Sequence, residues 1–286
     1  MSKASEVITR VRSFNVDGIN YRAPKQNSRG GKNVAVTMDN HRLVLQIPLT
    51  RCWGMVENVD QESGRKSYNV NLQLDRDDDP ANMALFEAIS AFQNKVLTDA
   101  VTNSKMWFGN SKMSRDVIEA LFYPMLKFPK NKETDEIDET RNPSMKLKVP
   151  FWEGTYNIEL YDMDKNQLFN PQMSDEQSPV ELVPTGSHIT GLIECGGIWF
   201  AGGRCGVTWK LLQAKVRQPY KIRGFCMLDD SDEEDTLESL DKADADKQNP
   251  EQVESDQDEE PAEESVAEVS KKPKKKRVVK KKAVEF

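Results

Sequence analysis

The chain has 286 residues, a formal net charge of −7 and a mean hydropathy of −0.70. That length accommodates one large domain or two small ones, and the low hydropathy indicates that part of the chain does not fold. No run approaches the roughly 18 apolar residues of a membrane helix, and the first residues lack the apolar core of a secretory signal. We therefore expect no membrane partner and no secretion, with Cys52, Cys195, Cys205 and Cys226 as free thiols in a reducing compartment.

The charge is divided among three segments. Residues 229–268 contain 19 acidic residues and two lysines, which gives this stretch about −17. Residues 271–286 carry nine Lys or Arg and one Glu, so they contribute about +8 and leave the first 228 residues at about +2. The acidic character therefore belongs to the tail, and the body is weakly basic.

The tail lacks the residues from which a core is built. Residues 229–270 contain no aromatic residue, and their few apolar residues follow no sustained period. Such a segment cannot bury enough apolar surface to offset an ordering entropy of about 1–2 kcal/mol per residue, so we expect it to be disordered. The predicted organisation is an N-terminal segment 1–24, a folded domain 25–228, an acidic tail 229–270 and a basic tip 271–286.

The body shows the alternating pattern of half-buried strands. The clearest examples are residues 42–49 and 68–74, in which every second residue is apolar. Further strands are predicted over residues 52–59, 145–149, 155–161, 189–200 and 207–217, with turns at 60–65 and 201–203.

Two segments interrupt this pattern with helical spacing. Asp79 followed by Pro80 is typical of a helix start, and apolar residues then recur every three or four positions through Leu97. Ser114 is the expected cap of a second, shorter helix, and residues 130–142 are expected to form an exposed loop. The predicted fold class is mainly β, a small closed antiparallel barrel with one or two inserted helices.

Enzymatic function has little support in the sequence. The two histidines, His41 and His188, have no Cys, Asp or Glu at metal-ligand spacing, and the motifs of common hydrolases and nucleotide-binding enzymes are absent. We expect a protein without catalysis, metal or cofactor.

The loop of residues 27–33 has paired glycines between Arg29 and Lys32, which suits a phosphodiester backbone better than a mononucleotide; a plain connector is the alternative.

The strongest local pattern is a predicted hairpin over residues 197–210. It combines Trp199, Phe200 and Trp209 with Arg204 and Lys210. If the alternation continues without interruption, Trp209 and the cations that follow it lie on an outward face. The alternative is that Trp199 and Trp209 fill the core of the barrel. Aromatic rings among cations are what single-stranded nucleic acid requires, because bases stack on the rings and phosphates contact the cations.

Six short motifs resemble those of single-stranded DNA-binding proteins of large nucleo-cytoplasmic DNA viruses, which are similar in turn to the single-stranded DNA-binding protein of short-tailed phages. They are Gly-Gly-Lys at 30–32, Leu-Gln-Ile-Pro at 45–48, Trp-Gly-Met at 53–55, Gly-Ile-Trp-Phe at 197–200, Gly-Val-Thr-Trp-Lys at 206–210 and Gln-Ala-Lys-Val at 213–216. The resemblance implies an OB-fold-like barrel with an inserted helix that binds single-stranded DNA during replication, recombination or repair.

The resemblance also implies roles for the tail. In that family an acidic, disordered C-terminal tail occupies the groove when DNA is absent and recruits polymerase or helicase, with a terminal aromatic residue, here Phe286, taking part. This chain departs from the phage pattern because residues 271–282 are basic. Residues 273–278 look like a nuclear localisation signal built on Lys274, Lys275, Lys276 and Arg277. We expect the protein in a host nucleus or at a cytoplasmic viral replication site.

The predicted interface has two kinds of residue. Base stacking is assigned to Trp53, Trp199 and Trp209, and phosphate contacts are assigned to Arg29, Lys32, Arg51, Arg204, Lys210, Lys215 and Arg217. The sequence does not decide between DNA and RNA as the ligand, or whether the protein is a homodimer. Two other classes of protein also stay open: a histone chaperone that binds basic proteins through the acidic tail, and a structural protein of a virion.

Overall fold

The structure, a computed structural model, describes residues 7–26, 30–77, 79–110, 112–173, 177–220 and 226–227. The chain divides into two compact units, Met1–Ile222 and Arg223–Phe286. In the second unit the described residues are Cys226 and Met227, which are both exposed. The predicted disorder of residues 229–270, the nuclear localisation signal and the docking role of Phe286 lie outside the described residues.

The described part of the first unit is mainly β, as predicted, and it also contains helices. The helices are α1 (Pro80–Thr102), α2 (Ser104–Phe108), α3 (Arg115–Leu121) and α4 (Pro179–Leu182). The strands of the N-terminal half are β1 (Ile8–Arg10), β2 (Ile19–Tyr21), β3 (Lys25–Gln26), β4 (Lys32–Val34), β5 (Val36–Met38), β6 (His41–Arg42), β7 (Val44–Val59) and β8 (Lys66–Gln73). The later strands are β9 (Phe122–Tyr123), β10 (Leu126–Lys127), β11 (Ser144–Val149), β12 (Phe151–Trp152), β13 (Thr155–Tyr156), β14 (Glu159–Tyr161), β15 (Gln167–Phe169), β16 (His188–Ala201) and β17 (Arg204–Arg217).

Five of these strands pair in a closed ring. The order is β7–β8–β11–β17–β16 and back to β7, with β11 and β17 parallel and the other four pairings antiparallel. The chain forms β7, β8 and β11 as neighbours and then crosses, so that β16 lies beside β7. A five-stranded Greek-key barrel of this kind is the arrangement of an OB fold.

Strand β7 is one element of 16 residues, whereas the sequence pattern predicts two strands over 42–49 and 52–59. Its register on β8 shifts between Cys52 and Met55, so β7 has one residue more than β8 there. Gly54 lies in this bulge with φ +83°, and a Cβ at that position would come within 2.8 Å of the backbone nitrogen of Thr185. The bulge bends a long strand so that it can take part in a small barrel.

Helix α1 begins where the sequence predicts it. The side chain of Asp79 accepts hydrogen bonds from the backbone nitrogens of Ala81 and Asn82, and Pro80 occupies the first turn. Phe92 of this helix is fully buried, and its ring meets that of Trp209 edge to face at 5.5 Å. Burying a side chain of this size contributes about 1.5–3 kcal/mol, so the helix completes the core of the barrel. The cap of α3 by Ser114 is also confirmed.

The predicted boundary at residue 25 lies inside the folded unit. Strand β1 pairs in parallel with β7, with Ile8 opposite Val44. Val11 and Ile19 are buried, and β2 pairs with β5, which pairs with β6, in a separate three-stranded sheet. The N-terminal segment therefore supplies strands and core residues. Its strands are only three residues long, which is too short for alternation to reveal them.

The segment predicted as one strand over 155–161 is divided into two. Strand β13 pairs with β12 in a hairpin, whereas β14 pairs with β17 and β15. The loop expected over 130–142 is largely exposed and contains one isolated bridge between Lys130 and Ile137.

Candidate nucleic-acid interface

The outward side of β7, β8, β11 and β17 forms a continuous polar surface. Strand β8 turns Tyr68, Val70 and Leu72 into the core, so the residues between them point outward. On β11 the buried residues alternate with exposed lysines in the same way. We call this surface the outer face; it is formed by Arg51, Trp53, Asn69, Asn71, Gln73, Lys146, Lys148 and Lys210, of which Asn69 is buried, with 7% exposure.

The strand register aligns the outer-face residues across the barrel. Asn69 and Asn71 of β8 lie opposite Lys148 and Lys146 of β11. Lys148 in turn lies opposite Lys210 of β17. Amides and ammonium groups therefore form rows that run perpendicular to the strands, a pattern that suits a polar, negatively charged chain.

Four cations cluster at one end of the outer face. Arg65, in the turn between β7 and β8, joins Lys146, Lys148 and Lys210. Removal from water lowers the pKa of Lys148 below its usual range, and the positive charges of Arg65, Lys210 and Lys146 lower it further. Such mutual repulsion is relieved when phosphates bind between the cations. We call these four residues the cationic cluster.

Trp53 provides an aromatic ring on the same face. It lies in the β7 bulge, is 44% exposed, and has the Arg51 guanidinium carbon 5.3 Å from its ring centroid. Its backbone oxygen accepts a hydrogen bond from the Thr185 hydroxyl at 3.2 Å. The backbone beneath the ring is thus fixed while part of the indole stays in solvent, which is what a base-stacking platform needs.

A cleft of about 740 Å³ extends from Trp53 along the barrel. Leu97 of α1 and Phe128 contribute to its apolar lining. Arg76 holds the wall in place, because its guanidinium carbon lies 4.9 Å from the Phe86 ring and 5.3 Å from the Phe128 ring. The same side chain donates to two backbone oxygens of the loop that follows β10. The cleft gives a ligand at Trp53 a preformed surface beyond the strands.

The predicted stacking role of Trp209 is wrong. This side chain is only 2% exposed and packs edge to face on Phe92, so neither face of its ring is open to a base. The error comes from a bulge at Leu212, where β17 has one residue more than β16. The bulge reverses the alternation, so Trp209 before it and Ala214 after it both point into the core.

Trp199 is half-buried, and part of its indole is covered. It lies opposite Gly206 across the β16–β17 hairpin. A Cβ at Gly206 would come within 2.8 Å of the indole, and Tyr123 also adjoins that position. The glycine therefore makes room for the ring against the hairpin. Stacking by Trp199 stays a prediction.

The predicted phosphate ligands do not form a single surface. Arg51 and Lys210 lie on the outer face, at β7 and β17. Lys32 lies off it, on β4, and its ammonium donates to the backbone oxygen of Trp107 at 2.9 Å. The structure thus gives Lys32 a contact within the protein.

The other predicted cations lie at the turn or along the distal part of β17. Arg204 is exposed beside the hairpin turn, and Arg217 is exposed at the opposite end of the strand. Lys215 lies next to β14 and donates to the backbone oxygen of Met163 at 3.4 Å. Arg29 lies outside the described residues. Phosphate contacts by all four residues stay predictions, and Arg204, Lys215 and Arg217 are not part of the cationic cluster.

The sequence prediction did not include three cations of the cluster: Arg65, Lys146 and Lys148. Lys146 and Lys148 alternate with buried residues in a strand that the sequence does predict, so their outward direction was available from the pattern. Arg65 occupies a predicted turn. Trp152, which is 69% exposed, lies in the short β12–β13 hairpin and does not belong to the outer face.

The thiols and histidines do not assemble into a reactive site in the described residues. Burial raises the pKa of Cys195 to about 12 and that of Cys205 to about 11, so both stay protonated near neutrality. The part of the chain that the structure describes holds no group of three or more His, Cys, Asp or Glu able to bind a metal ion. None of its helices is long and apolar enough to span a membrane.

Solved structures with a similar arrangement include phage proteins. The single-stranded DNA-binding protein from bacteriophage Enc34 in complex with single-stranded DNA aligns with a TM-score of 0.39 and 11% identity, over 71% of this chain and 98% of that one. The single-stranded DNA-binding protein gp2.5 encoded by bacteriophage T7 aligns with a TM-score of 0.38 and 12% identity, over 64% of this chain and 91% of that one. At these scores the likeness carries no argument for function.

The sequence comparisons give a family but no activity. No curated protein sequence matches the chain. Residues 66–227, more than half of the chain, match the family described as "Family of unknown function (DUF5871)". The matched segment contains β8, β11, β16 and β17 and so includes most of the outer face. This chain is therefore a member of the DUF5871 family.

Proposed function

We propose that this protein binds single-stranded DNA without strong sequence preference and acts in viral DNA replication, recombination or repair. One observation carries the proposal: the outer face places an exposed indole, Trp53, on the same surface as the cationic cluster. Each stacked base contributes about 1–3 kcal/mol whatever its identity, and the cations neutralise the phosphates. The protein acts by binding, and no catalytic step is part of the proposal.

An exposed ring favours a single strand over a duplex. A base can lie on the Trp53 indole only when its own face is free, and in a duplex that face is stacked on its neighbours. From β7 to β17 the outer face spans three strand spacings of about 4.8 Å each, or about 14 Å. At about 3.4 Å per stacked nucleotide, that length fits roughly four nucleotides, at the lower end of the range for OB folds.

The tail belongs to the same proposal. Residues 229–268 carry about −17, so they compete with DNA for the cationic cluster when DNA is scarce. The tail also recruits a replicative polymerase or helicase, with Phe286 as a docking residue. Lys274, Lys275, Lys276 and Arg277 direct the protein to a nucleus. These roles rest on charge and on the resemblance of the motifs.

The test is a titration of the full chain with labelled single-stranded and duplex oligonucleotides over a range of salt concentrations. We expect the single strand to bind more tightly, with affinity that falls linearly on a logarithmic salt scale by about 0.7 per phosphate contact. The double variant Lys146→Gln/Lys148→Gln should reduce that slope by about 1.4.

A matched control removes a cation elsewhere. Lys165 lies in the turn between β14 and β15 with φ +73°, a conformation that asparagine tolerates. Lys165→Asn should bind DNA like the unaltered chain. Equal affinity for duplex and single strand, or an unchanged slope in the double variant, contradicts the proposal. Histone binding through the tail without any response to oligonucleotides supports a chaperone instead.

A further inference from the structure

A second basic surface lies beside the outer face. A cleft of about 470 Å³ separates the barrel from the three-stranded sheet of β2, β5 and β6. Its barrel wall includes Glu194, Gly196 and Lys210, and its other wall includes Arg22 and Arg42. We call it the basic cleft. None of its residues except Lys210 belongs to the predicted site or to the outer face.

Two cations from different walls of the basic cleft converge on one carboxylate. Glu194 is 8% exposed, and its Oε2 accepts a hydrogen bond from Arg42 Nη1 at 3.1 Å. Lys210 Nζ lies 3.7 Å from Oε1 of the same group. A nearly buried carboxylate needs such partners, because an unpaired one is strongly destabilising. Glu194 therefore links the barrel to the small sheet and fixes the positions of both cations.

The pairing leaves Arg42 with unused binding capacity. Its side chain is 77% exposed, and among the described residues Glu194 contacts it through Nη1. A guanidinium has five N–H donors in a planar fork that fits the oxygens of a phosphate. Arg22, also exposed in the cleft, uses its backbone nitrogen in a hydrogen bond to Ala35. The cleft thus offers donors to an external oxyanion.

Lys210 connects the basic cleft with the outer face. A Cβ on Gly196 would come within 3.0 Å of Lys210 Cε, so the absence of a side chain there lets the lysine stem lie across β16. On its other side Lys210 is the register partner of Lys148 in the cationic cluster. A polyanion neutralised by Lys148 therefore meets Lys210 next and then the mouth of the cleft.

We propose that the basic cleft is a second phosphodiester subsite, in which Arg42 and Lys210 are shared between Glu194 and a phosphate of the bound strand. This inference rests on the proposed function and extends it beyond the four strands of the outer face. Without DNA, Glu194 holds the two cations in place. With DNA, a phosphate at the cleft mouth contacts the free donors of Arg42, and Glu194 weakens that contact by neutralising part of the charge.

Salt dependence of binding by the full chain tests the subsite directly. The probe is a fluorescein-labelled oligothymidine, followed by anisotropy. Arg42→Gln and Arg22→Gln should each reduce the slope of affinity against salt by about 0.7, the value for one phosphate on a single strand. Glu194→Gln retains an acceptor for Arg42 but removes the negative charge, so it should bind more tightly at low salt. Arg22→Gln does not alter the ion pairs of Glu194, so a smaller salt slope in this variant would not be explained by the loss of those pairs.

The controls separate this inference from the proposed function. Lys165→Asn reports the effect of removing a cation that belongs neither to the basic cleft nor to the outer face. If Arg22→Gln and Arg42→Gln match Lys165→Asn while Lys146→Gln/Lys148→Gln binds weakly, the subsite is overturned and the proposed function stands. If the double variant also binds normally, both are overturned. Weaker binding by a folded Glu194→Gln variant overturns the sharing of cations by Glu194.

Discussion

Replacing Trp53 with alanine is the most direct test of the outer face. The indole is 44% exposed on the β7 bulge, and the Arg51 guanidinium carbon lies 5.3 Å from its ring centroid, so part of the ring is accessible beside a cation. If one base stacks on it, Trp53→Ala should weaken single-strand binding by about 1–3 kcal/mol. That corresponds to a roughly 5- to 150-fold increase in Kd. The salt slope should stay the same, because no charge is removed.

The assay is fluorescence anisotropy of a labelled oligothymidine, with intrinsic tryptophan fluorescence recorded in the same titration. Trp152→Ala is a matched control, since Trp152 is more exposed than Trp53 but lies in the β12–β13 hairpin, outside the four strands of the outer face. Trp53→Ala should also remove most of the quenching by DNA. Wild-type affinity and quenching in a folded Trp53→Ala variant would refute the stacking argument.

Three further predictions concern the tail, the cluster and the core. Removing residues 229–268 should tighten single-strand binding at low salt, measured by anisotropy, because a competing polyanion is lost; equal affinity would contradict competition. Because the pKa of Lys148 is lowered, the affinity for single-stranded DNA should fall with rising pH before the usual lysine pKa of about 10.4 is reached. Lys148→Arg stays charged and should therefore flatten this part of the curve of affinity against pH. Parallel curves for the two proteins would contradict this prediction. Phe92→Ala should lower the free energy of unfolding by about 3–5 kcal/mol in urea denaturation, whereas a loss below about 1 kcal/mol would rule out the packing described.

Elements with strong local determinants could be predicted from the sequence. The alternation of apolar and polar residues in β8 and β11 is sufficient to identify both strands and their buried faces. The start of α1 is predictable because Asp79 and Pro80 satisfy its first backbone groups without any tertiary partner. The exposure of Trp53 agrees with its predicted position on a binding surface, since the structure leaves its side chain 44% exposed on the outer face, but stacking by Trp53 stays a prediction.

The remaining features depend on pairing between distant strands. The bulges at Cys52–Met55 and at Leu212 exist only in the register of β7 on β8 and of β17 on β16. One extra residue exchanges the two faces of everything beyond it, so a correct strand prediction still placed Trp209 on the wrong face. The N-terminal strands are short and stabilised by β7, which no local pattern reveals.

The hairpin of residues 197–210 contains two of the six motifs that carry the resemblance, and its Lys210 belongs to the outer face. Its Trp209 and Cys205 are buried, and Gly206 accommodates the Trp199 ring, so these residues mainly build the closed barrel. A motif of this kind identifies a fold more readily than a binding surface. The outer face is defined instead by the alternation and register of each strand.

The site depends on closure of the barrel as a whole. The first 228 residues carry only about +2, so their average charge predicts weak attraction to a polyanion. Strands β11 and β17, the parallel pair of the described ring, bring Lys148 opposite Lys210 although the two are far apart in sequence. The same closure sets Trp209 against Phe92 on the inside. Packing in the core thus maintains the local charge density on the outer face, and a core variant that loosens β17 should weaken DNA binding without touching a single cation.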